Sequence, residues 1–439
     1  MGQSGAIRLT NGTPYTWTRS SQTSWRMNSW SFPHSIAPGS SVSICIEWGE
    51  WVFDHAVQDS GTTEYTLSGT SYRFQVQARA NMSFQLQIYL NGLSTHRYSQ
   101  WDTFSLGWKQ DGEIQFVLSG SENNFNSTYP STSWMHDNLA KLGPRTLRHI
   151  CIPGSHNAGM GRVGSGTVGT NECNTQTQNC AVSTQLERGS RWLDIRPIIW
   201  NKVLYTGHYR NTKVAGVGWQ GRNGQSIDQV IDSVNWFTGV YKELVILEVS
   251  HGYNADAGYR EMNQEEWNKL LGKLKNLNHR FVTTAADLTK LRLNEFISGN
   301  KSAVVVIVRA ASGIKLDSFP SCGFYEVHRL PFVSKYSGTN NSLVLTWEQI
   351  RFMKEKRSNP DANHLLTGWA LKMSAADAVR AKMRDTSLLS MAELGNEKLF
   401  ESLFDNCSKS TYPNILEVDG YSTHHTALVL AINDLYGTP

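Results

Sequence analysis

Polar residues that can move protons and hold phosphate follow short apolar segments in the middle of the chain. They are His156, Asn157, Asp194, Arg196 and His208. Catalytic groups gather at the carboxyl ends of parallel strands, where the loops can vary while the strands hold their positions. Histidine moves protons near neutral pH, and a guanidinium neutralises charge on phosphate oxygens. These residue types therefore predict phosphoryl chemistry at the end of a parallel sheet.

Residues 135–439 read as strands alternating with helices, which predicts a TIM-type α/β barrel. The predicted strands are RHICIP, RWLDIRP, VLYTGH, ELVILEVS, AVVVIVRA, FYEVHRLPF, LTGWALKMS and NILEVDGYS. The segment VVVIV is apolar on both faces, as expected for a strand in a buried parallel sheet. The link between RWLDIRP and VLYTGH is too short for a helix, so we expect an irregular barrel.

Residues 1–120 predict a separate all-β unit, joined to the barrel by a linker at 121–134 that is rich in Ser, Asn, Thr and Pro. Segments such as SVSICIEW and YRFQVQA alternate apolar and polar residues, which indicates antiparallel strands and a small β-sandwich. Trp17, Trp25 and Trp30 lie outside these alternating segments. Either they fill the core, or they form a lipid- or glycan-binding surface, where amphipathic rings are favoured.

Composition and charge exclude some classes of protein. The net charge of +4 is mild for 439 residues, and no basic patch of the nucleic-acid-binding kind is visible. No secretory signal and no membrane-spanning apolar run is visible, which favours a cytoplasmic protein over a secreted one. Cys173 and Cys180 either close a small loop or stay free thiols, and the spacing of the six cysteines is not that of a zinc site. The oligomeric state stays open.

The chain contains, in this order, the segments IPGSHNAG, QLERGSRWLDIRP, GHY and ELVILEVSHG. In order and spacing they resemble the X-domain of phosphatidylinositol-specific phospholipase C. The resemblance covers roughly residues 140–250 and extends more loosely to about 425. It implies a distorted barrel and a phosphodiesterase that cleaves phosphatidylinositol, or its glycosylated anchors, at a peripheral membrane surface. In that family the inositol 2-hydroxyl attacks phosphorus, and a cyclic inositol phosphate forms.

The resemblance also implies roles for individual residues. It places the general base at His156 and the general acid, which protonates the diacylglycerol oxygen, at His208. Arg196 is expected to donate two hydrogen bonds to the phosphate while Asp194 orients it. The alternative is a purely structural ion pair between Asp194 and Arg196, because a buried charge requires a partner.

We expect a carboxylate to hold the tautomer of His156. Asp419 ends the last predicted strand, and strands one and eight of a closed barrel are neighbours, so Asp419 is the candidate. Glu417 alternates onto the same face and is the alternative. The residues predicted to contact substrate are Asn157, Glu248, Ser250 and Tyr421.

The residue at position 196 governs the predicted metal requirement. In the resembled family, animal members place an acid there to bind calcium, and secreted bacterial members place an arginine and require no metal. Arg196 therefore favours a metal-independent enzyme, whereas Asn157 matches the calcium type. The bacterial aspartate that steadies the acid histidine has no obvious replacement here. We predict that no metal is required; in the alternative, calcium binds Asn157, Asp194 and Glu248.

Two other functions are compatible with the sequence. The barrel could instead cleave a sphingolipid, a lysophospholipid or a glycerophosphodiester, but related barrels for those substrates need Mg²⁺ and carboxylates close to the first histidine. Asn157 and Arg196 disfavour that set. The chain could also be a non-catalytic lipid-binding protein, which the intact pair of His156 and His208 disfavours.

Overall fold

The computed structural model describes residues 3–49, 59–80, 83–212 and 218–437. The chain forms two compact units. The first contains the chain up to Ser131 together with Phe400–Cys407 and Thr423–Gly437, and the second contains Thr132–Leu399 and Ser408–Ser422.

The first unit is built from β-strands. They are β1 (Ser4–Gly12), β2 (Trp17–Trp25), β3 (Met27–Trp30), β4 (Ser35–Ile36), β5 (Ser41–Trp48), β6 (Ser60–Leu67), β7 (Arg73–Ala80), β8 (Phe84–Asn91), β9 (Thr103–Gly107), β10 (Glu113–Ser121) and β11 (Asn124–Ser127). One sheet has the order β11-β10-β1-β5-β3, and the other has the order β4-β2-β6-β7-β8-β9. β1 and β10 pair in parallel, contrary to the antiparallel expectation. The strands between them supply the long connection that a parallel pair requires.

The two sheets share one aromatic core. The ring centroid of Phe116 lies 6.3 Å from that of Trp17 and 5.2 Å from that of Phe74, which belong to the opposite sheet. Trp17 and Trp30 are buried, whereas Trp25 is 61% exposed. Two of the three tryptophans that the sequence left unassigned therefore fill the core.

Part of the predicted linker at 121–134 is a strand instead. β11 pairs antiparallel with β10, and Asn123 adopts a left-handed conformation, with φ of 62°, in the turn between them. Phe125 is buried between the polar residues Asn124 and Asn126. Because the segment is mostly polar, its composition did not predict a strand. The strand nevertheless buries the side chain of Phe125.

The second unit holds the other strands. They are β12 (Ile152–Ser155), β13 (Trp192–Ile195), β14 (Pro197–Trp200), β15 (Val203–Asn211), β16 (Trp219–Ser226), β17 (Leu244–Ser250), β18 (Tyr253–Asn254), β19 (Arg260–Glu261), β20 (Ala303–Arg309), β21 (Phe324–Glu326), β22 (Val333–Tyr336), β23 (Leu365–Trp369) and β24 (Ile415–Val418).

Eight of these strands form one parallel sheet, with the order β21-β20-β17-β13-β12-β24-β23-β22. The strands follow one another in chain order, and the last, β24, pairs with the first, β12. No hydrogen-bonded ladder joins β21 to β22 within the described residues. The sheet therefore fits the predicted irregular barrel, with one side left open.

One predicted barrel strand is wrong, and another is shorter than predicted. The segment VLYTGH belongs to β15, which pairs antiparallel with β14 and β16 in a separate sheet of order β16-β15-β14-β18-β19. Asn201 and Lys202, both with positive φ, form the tight turn that reverses the chain after β14. In the segment FYEVHRLPF only the first three residues form a strand, β21, and β22 begins at Val333, directly after the segment.

Helices precede the barrel strands, connect most of them and follow the last one. They are α1 (Trp134–Asp137), α2 (Leu139–Leu142), α3 (Glu172–Thr175), α4 (Val182–Glu187), α5 (Ile227–Val240), α6 (Gln264–Leu274), α7 (Leu293–Ile297), α8 (Ser342–Lys356), α9 (Ala375–Lys382), α10 (Leu388–Ser402) and α11 (Thr423–Leu435). α5 and α6 begin with capping boxes and bury one apolar face in the core of this unit. No helix in the described part of the chain is long and apolar enough to cross a membrane.

α11 belongs to the first unit, although we predicted that residues 135–439 would form the barrel. The helix is buried on nearly all sides, and Asp434 near its end accepts a hydrogen bond of 2.7 Å from Ser119 on β10. A Cβ atom added to Gly12 would meet Ala431 at 2.6 Å, so β1 and α11 pack closely. Cys173 and Cys180 of the second unit are free thiols.

A fully buried ion pair stabilises the amino-terminal end of the barrel. Arg191, before β13, donates a hydrogen bond of 2.9 Å from Nε to Glu243, before β17, and both side chains are completely buried. Glu243 also accepts hydrogen bonds from the backbone N–H groups of Met135 and His136 in α1. The pair therefore joins α1 to two adjacent strands.

We predict that Glu243→Ala lowers the free energy of unfolding by about 3–5 kcal/mol, because it leaves the Arg191 guanidinium buried without its counter-charge. Glu265→Ala is the matched control, since Glu265 pairs with Lys269 at an exposed site; its effect should stay below about 1 kcal/mol. Urea denaturation followed by circular dichroism measures both. Equal effects of the two substitutions would contradict the prediction.

Candidate active site

Three adjacent strands, β24, β12 and β13, end at the same edge of the barrel sheet. β12 pairs with β24 on one side and with β13 on the other. His156 follows the last residue of β12, Asp194 lies on β13, and Asp419 follows β24. Because paired strands are about 4.8 Å apart, side chains at their carboxyl ends meet. The structure thus brings these three predicted residues together.

The His156 imidazole lies between a carboxylate and a guanidinium. Its Nδ1 is 2.7 Å from Asp419 Oδ1, and its Nε2 is 2.9 Å from Arg196 Nη2. A guanidinium can only donate hydrogen bonds, so the nitrogen that it faces presents a lone pair. This geometry corresponds to a neutral imidazole that donates Nδ1–H to Asp419. Nε2, which carries this lone pair, is therefore the atom that could accept a proton.

The surroundings of His156 raise its pKa above the ordinary value. Burial alone would lower the pKa, but the charge of Asp419 and its hydrogen bond outweigh burial and the opposing charge of Arg196. A higher pKa makes the imidazole a stronger base.

Arg196 and Asp194 form a buried ion pair. Arg196 Nε lies 3.0 Å from Asp194 Oδ2, and the same oxygen accepts a hydrogen bond of 3.0 Å from the backbone N–H of Asn157. Burial would raise the pKa of Asp194, but the charges of Arg196 and His156 lower it below the ordinary value. Asp194 is therefore ionised at neutral pH and fixes the guanidinium beside His156.

Two further carboxylates are buried near this pair. Glu248 lies opposite Asp194 in the strand register and accepts a hydrogen bond of 2.7 Å from Arg309 Nε at the end of β20. Burial and repulsion by Asp194 raise the pKa of Glu248 to about 7. Glu417 lies on β24, and burial and Asp194 raise its pKa as well.

Tyr336 and Trp192 hold the Glu417 carboxylate. The Tyr336 hydroxyl donates to Oε1, and Trp192 Nε1 donates to Oε2 at 3.1 Å. The ring centroid of Tyr336 lies 5.7 Å from that of His156. Tyr336 passes over Gly368 of β23, where a Cβ atom would lie 2.6 Å from the ring. The absence of a side chain at position 368 lets the tyrosine reach the site.

His208 has a different environment from His156. It lies on β15, and its Nδ1 donates a hydrogen bond of 3.0 Å to the backbone carbonyl of Thr175 at the end of α3. Burial lowers the pKa of His208 to about 4; the Thr175 carbonyl opposes this shift, and the charges of Arg196 and His156 add to it. A backbone carbonyl thus occupies the place for which the sequence offered no acidic residue.

The position of Thr175 depends on Asn171, which caps α3. The Asn171 side chain accepts a hydrogen bond from the backbone N–H of Asn174, and its Nδ2 donates at 3.1 Å to the carbonyl of Ala381 in α9. The Thr175 hydroxyl donates to the Asn171 carbonyl. The loop after β12 is therefore fastened to the segment after β23.

Three of the residues that we predicted to contact substrate lie at this edge of the sheet, and Tyr421 does not. Asn157 has φ of 44°, and its Nδ2 is 3.3 Å from His156 Nε2. Ser250 lies two residues after Glu248 on β17, and its Oγ is 2.8 Å from His251 Nδ1. The Tyr421 side chain is fully buried, directly after Gly420, which has φ of 62°.

Sequence reasoning missed Tyr336, Arg309 and Gln178. Arg309 ends an apolar strand in the same way as Arg196, so its signal was present in the sequence. Tyr336 lay beyond a segment that we read as one strand. Gln178 donates from Nε2 to the carbonyls of His156 and Val418, at 2.8 and 2.9 Å, and so joins the ends of β12 and β24. No sequence pattern pointed to this glutamine.

A cavity of about 50 Å³ lies beside Arg196. Its other lining residues are Pro197, Ile198, Gly207, Tyr209, His251 and Tyr253. Tyr209 and Tyr253 belong to an aromatic cluster in which the ring of Trp219 packs 5.0 Å from Tyr253 and 5.4 Å from Tyr259. The wall next to the guanidinium is therefore aromatic.

Within the described part of the chain, His156, Asp194 and Glu417 form the group that could hold a metal ion, since one ligand atom of each lies within 4.8 Å of the others. The hydrogen bonds at these atoms disfavour a cation. Arg196 contacts both His156 and Asp194, and Glu417 accepts from two donors. The alternative calcium set that includes Glu248 is occupied in the same way by Arg309. The guanidinium of Arg196 thus occupies the position at which a metal cation would bind.

The fold of the chain is similar to that of bacterial phosphatidylinositol-specific phospholipase C. A structure of this enzyme from Staphylococcus aureus that contains pentafluoro-phenylalanine has a TM-score of 0.51 and 15% sequence identity, covering 69% of this chain and 98% of that chain. A second structure of the S. aureus enzyme, from work on the modulation of its membrane binding, has a TM-score of 0.50 and 16% sequence identity. It also covers 69% of this chain and 98% of that chain. No protein-family model and no curated protein matches the sequence. At this identity the similarity is one of fold.

We predict that the wild-type protein shows no Ca²⁺ binding in isothermal titration calorimetry and that Arg196→Ala gains it. Without the guanidinium, Asp194 and Glu417 face each other uncompensated, and the added negative charge should raise Ca²⁺ affinity at least about tenfold. Arg260→Ala, which frees the single carboxylate of Glu266, is the control and should gain nothing. Tight Ca²⁺ binding by the wild type would contradict the assignment of Arg196 to the cation position.

Proposed function

We propose that the barrel unit cleaves the phosphodiester bond of phosphatidylinositol, or of glycosyl-phosphatidylinositol anchors, and releases diacylglycerol. The observation that carries the proposal is the chain of contacts from Asp419 through His156 to Arg196. One imidazole nitrogen is held by a carboxylate, and the other faces a guanidinium suited to phosphate oxygens. The fold likeness to a phosphatidylinositol-specific phospholipase C supports this substrate class.

In the proposed first step, the substrate phosphate takes over the Arg196 N–H group that otherwise faces His156 Nε2. The freed lone pair accepts the proton of the inositol 2-hydroxyl, whose oxygen attacks phosphorus. The bond from phosphorus to the diacylglycerol oxygen breaks, and His208 protonates that oxygen. The products are an inositol cyclic phosphate and diacylglycerol.

The two histidines suit opposite tasks. The raised pKa of His156 makes it a stronger base, and the lowered pKa of His208 makes it a stronger acid once it is protonated. With a pKa of about 4, His208 is largely neutral in the free protein at pH 7. The negative charge of a bound phosphodiester favours its protonated form, because an opposite charge nearby raises the pKa of a histidine.

We predict an acidic optimum for kcat/KM. The reactive form has neutral His156 and protonated His208. Because the pKa of His208 is about 4 and that of His156 is raised, kcat/KM should fall below about pH 4 and again above the raised pKa of His156, with a plateau between the two limbs. Initial rates across pH, with a stability control at each pH, measure this. Activity that keeps rising above neutral pH would contradict the electrostatic assignment.

Leaving-group dependence separates the two roles. A nitrophenyl phosphodiester of inositol has a leaving group that needs no protonation, so His208→Ala should lose little activity with it but should lose about 10²–10⁴-fold with phosphatidylinositol. His156→Ala should lose activity with both substrates. If the nitrophenyl substrate instead rescues His156→Ala, the acid and the base are exchanged.

Substrate class is tested by turnover in EDTA of phosphatidylinositol, a glycosyl-phosphatidylinositol, sphingomyelin, a lysophospholipid and a glycerophosphodiester. We expect activity on the first two, abolished by His156→Ala and unchanged in His328→Ala, which alters an exposed histidine that pairs with Glu326. Preference for another lipid would move the assignment to that substrate. No turnover of any of them would favour a non-catalytic lipid-binding protein.

A further inference from the structure

Helix α8 exposes large apolar side chains to solvent near its start. Leu343 is 64% exposed, Val344 is 43% exposed and Trp347 is 59% exposed. They lie one after another or one turn apart, so they form one face of the helix. We call these three residues the α8 apolar face. Exposed apolar clusters of this kind mark interaction sites in soluble proteins.

The α8 apolar face lies at the same end of the barrel as His156. A helix that follows a parallel strand begins at the strand's carboxyl end, and α8 follows β22 after a short loop. Tyr336, the last residue of β22, donates a hydrogen bond to Glu417 in the site and is itself 44% exposed. Tyr336 therefore reaches solvent at the end of the barrel at which α8 begins.

The start of α8 is held firmly. Asn341 Oδ1 accepts hydrogen bonds from the backbone N–H groups of Leu343 and Val344, at 2.9 and 3.1 Å. Gln349 Nε2 donates at 2.8 Å to the carbonyl of Lys335, which fastens the helix to β22. The apolar side chains are thus presented on a fixed element, and their exposure does not result from a loose terminus.

The two segments that form and adjoin this face carry an excess of positive charge. Residues 335–356 and 372–385 carry eight lysines and arginines against four acidic residues, an excess equal to the +4 net charge of the whole chain. The two segments adjoin each other, because the N–H of Lys372 donates at 2.7 Å to the carbonyl of Thr339. The Arg351 guanidinium lies 4.8 Å from the Trp347 ring centroid.

We propose that the α8 apolar face docks on the surface of an anionic phospholipid bilayer. Tryptophan is favoured at the level of lipid headgroups, and anionic lipids attract lysine and arginine side chains next to it. A second copy of this chain fits less well, because a two-fold contact would bring the two basic segments together. Docking does not require the proposed activity, but if that activity holds, it brings the site to its substrate.

The test is sedimentation with sucrose-loaded vesicles of phosphatidylcholine and phosphatidylserine that contain no phosphatidylinositol. Trp347→Ala should bind about tenfold more weakly than the wild type, the factor that about 1.4 kcal/mol of lost transfer free energy produces. The matched control is Trp236→Ala on α5, whose side chain is 45% exposed, and it should bind as the wild type does. Vesicles of phosphatidylcholine alone should bind more weakly, and added salt should weaken binding to the anionic vesicles.

Equal binding by the wild type and Trp347→Ala would overturn the proposal. So would concentration-dependent dimerisation of the wild type that Trp347→Ala abolishes, because the face would then be an interface between copies. Thermal unfolding checks that Trp347→Ala folds. With an inositol nitrophenyl phosphodiester in free solution, Trp347→Ala should match the wild type. If neither protein turns over any substrate while Trp347→Ala still loses vesicle binding, the proposed function fails and the docking surface stands.

Discussion

The site depends on the balance of charges that are buried at the carboxyl ends of the barrel strands. The charge of Asp194 adds to burial in raising the pKa of both Glu248 and Glu417, so it disfavours ionisation of these two neighbours. Taking charges out of water is costly unless opposite charges and hydrogen bonds replace the solvent. Arg196 and Arg309 supply the opposite charge to Asp194 and Glu248. The guanidinium of Arg196 is thus a structural requirement of the sheet as well as a candidate ligand for phosphate.

The same balance places the two histidines in contrasting environments. His156 has a carboxylate on one nitrogen and a guanidinium on the other, whereas Nδ1 of His208 has the backbone carbonyl of Thr175 as its partner. Environments that push two pKa values apart are the usual way in which one site provides both an acid and a base. The geometry provides this contrast without an acidic residue beside His208.

Much of the barrel could be predicted from the sequence, because short continuous apolar segments such as those of β17 and β20 are typical of strands buried on both faces. Periodicity identifies a strand but not its partners, which is why β15 was assigned to the wrong sheet. The contact between His156 and Asp419 was proposed from barrel topology alone. Tyr336 and Thr175 were not found, since the first depends on a glycine in a neighbouring strand and the second acts through its backbone, which no side-chain pattern reveals.

The hydrogen bond from Asn171 to Ala381 limits which loops of this barrel can be replaced independently. Barrels of this type are commonly treated as a stable frame with loops that can be exchanged one at a time. Here the loop after β12 supplies the carbonyl that holds His208, and the segment after β23 holds that loop. A graft that replaced either one alone would disturb the orientation of the imidazole. The two loops are therefore a single module for protein engineering, although more than two hundred positions separate them in the sequence.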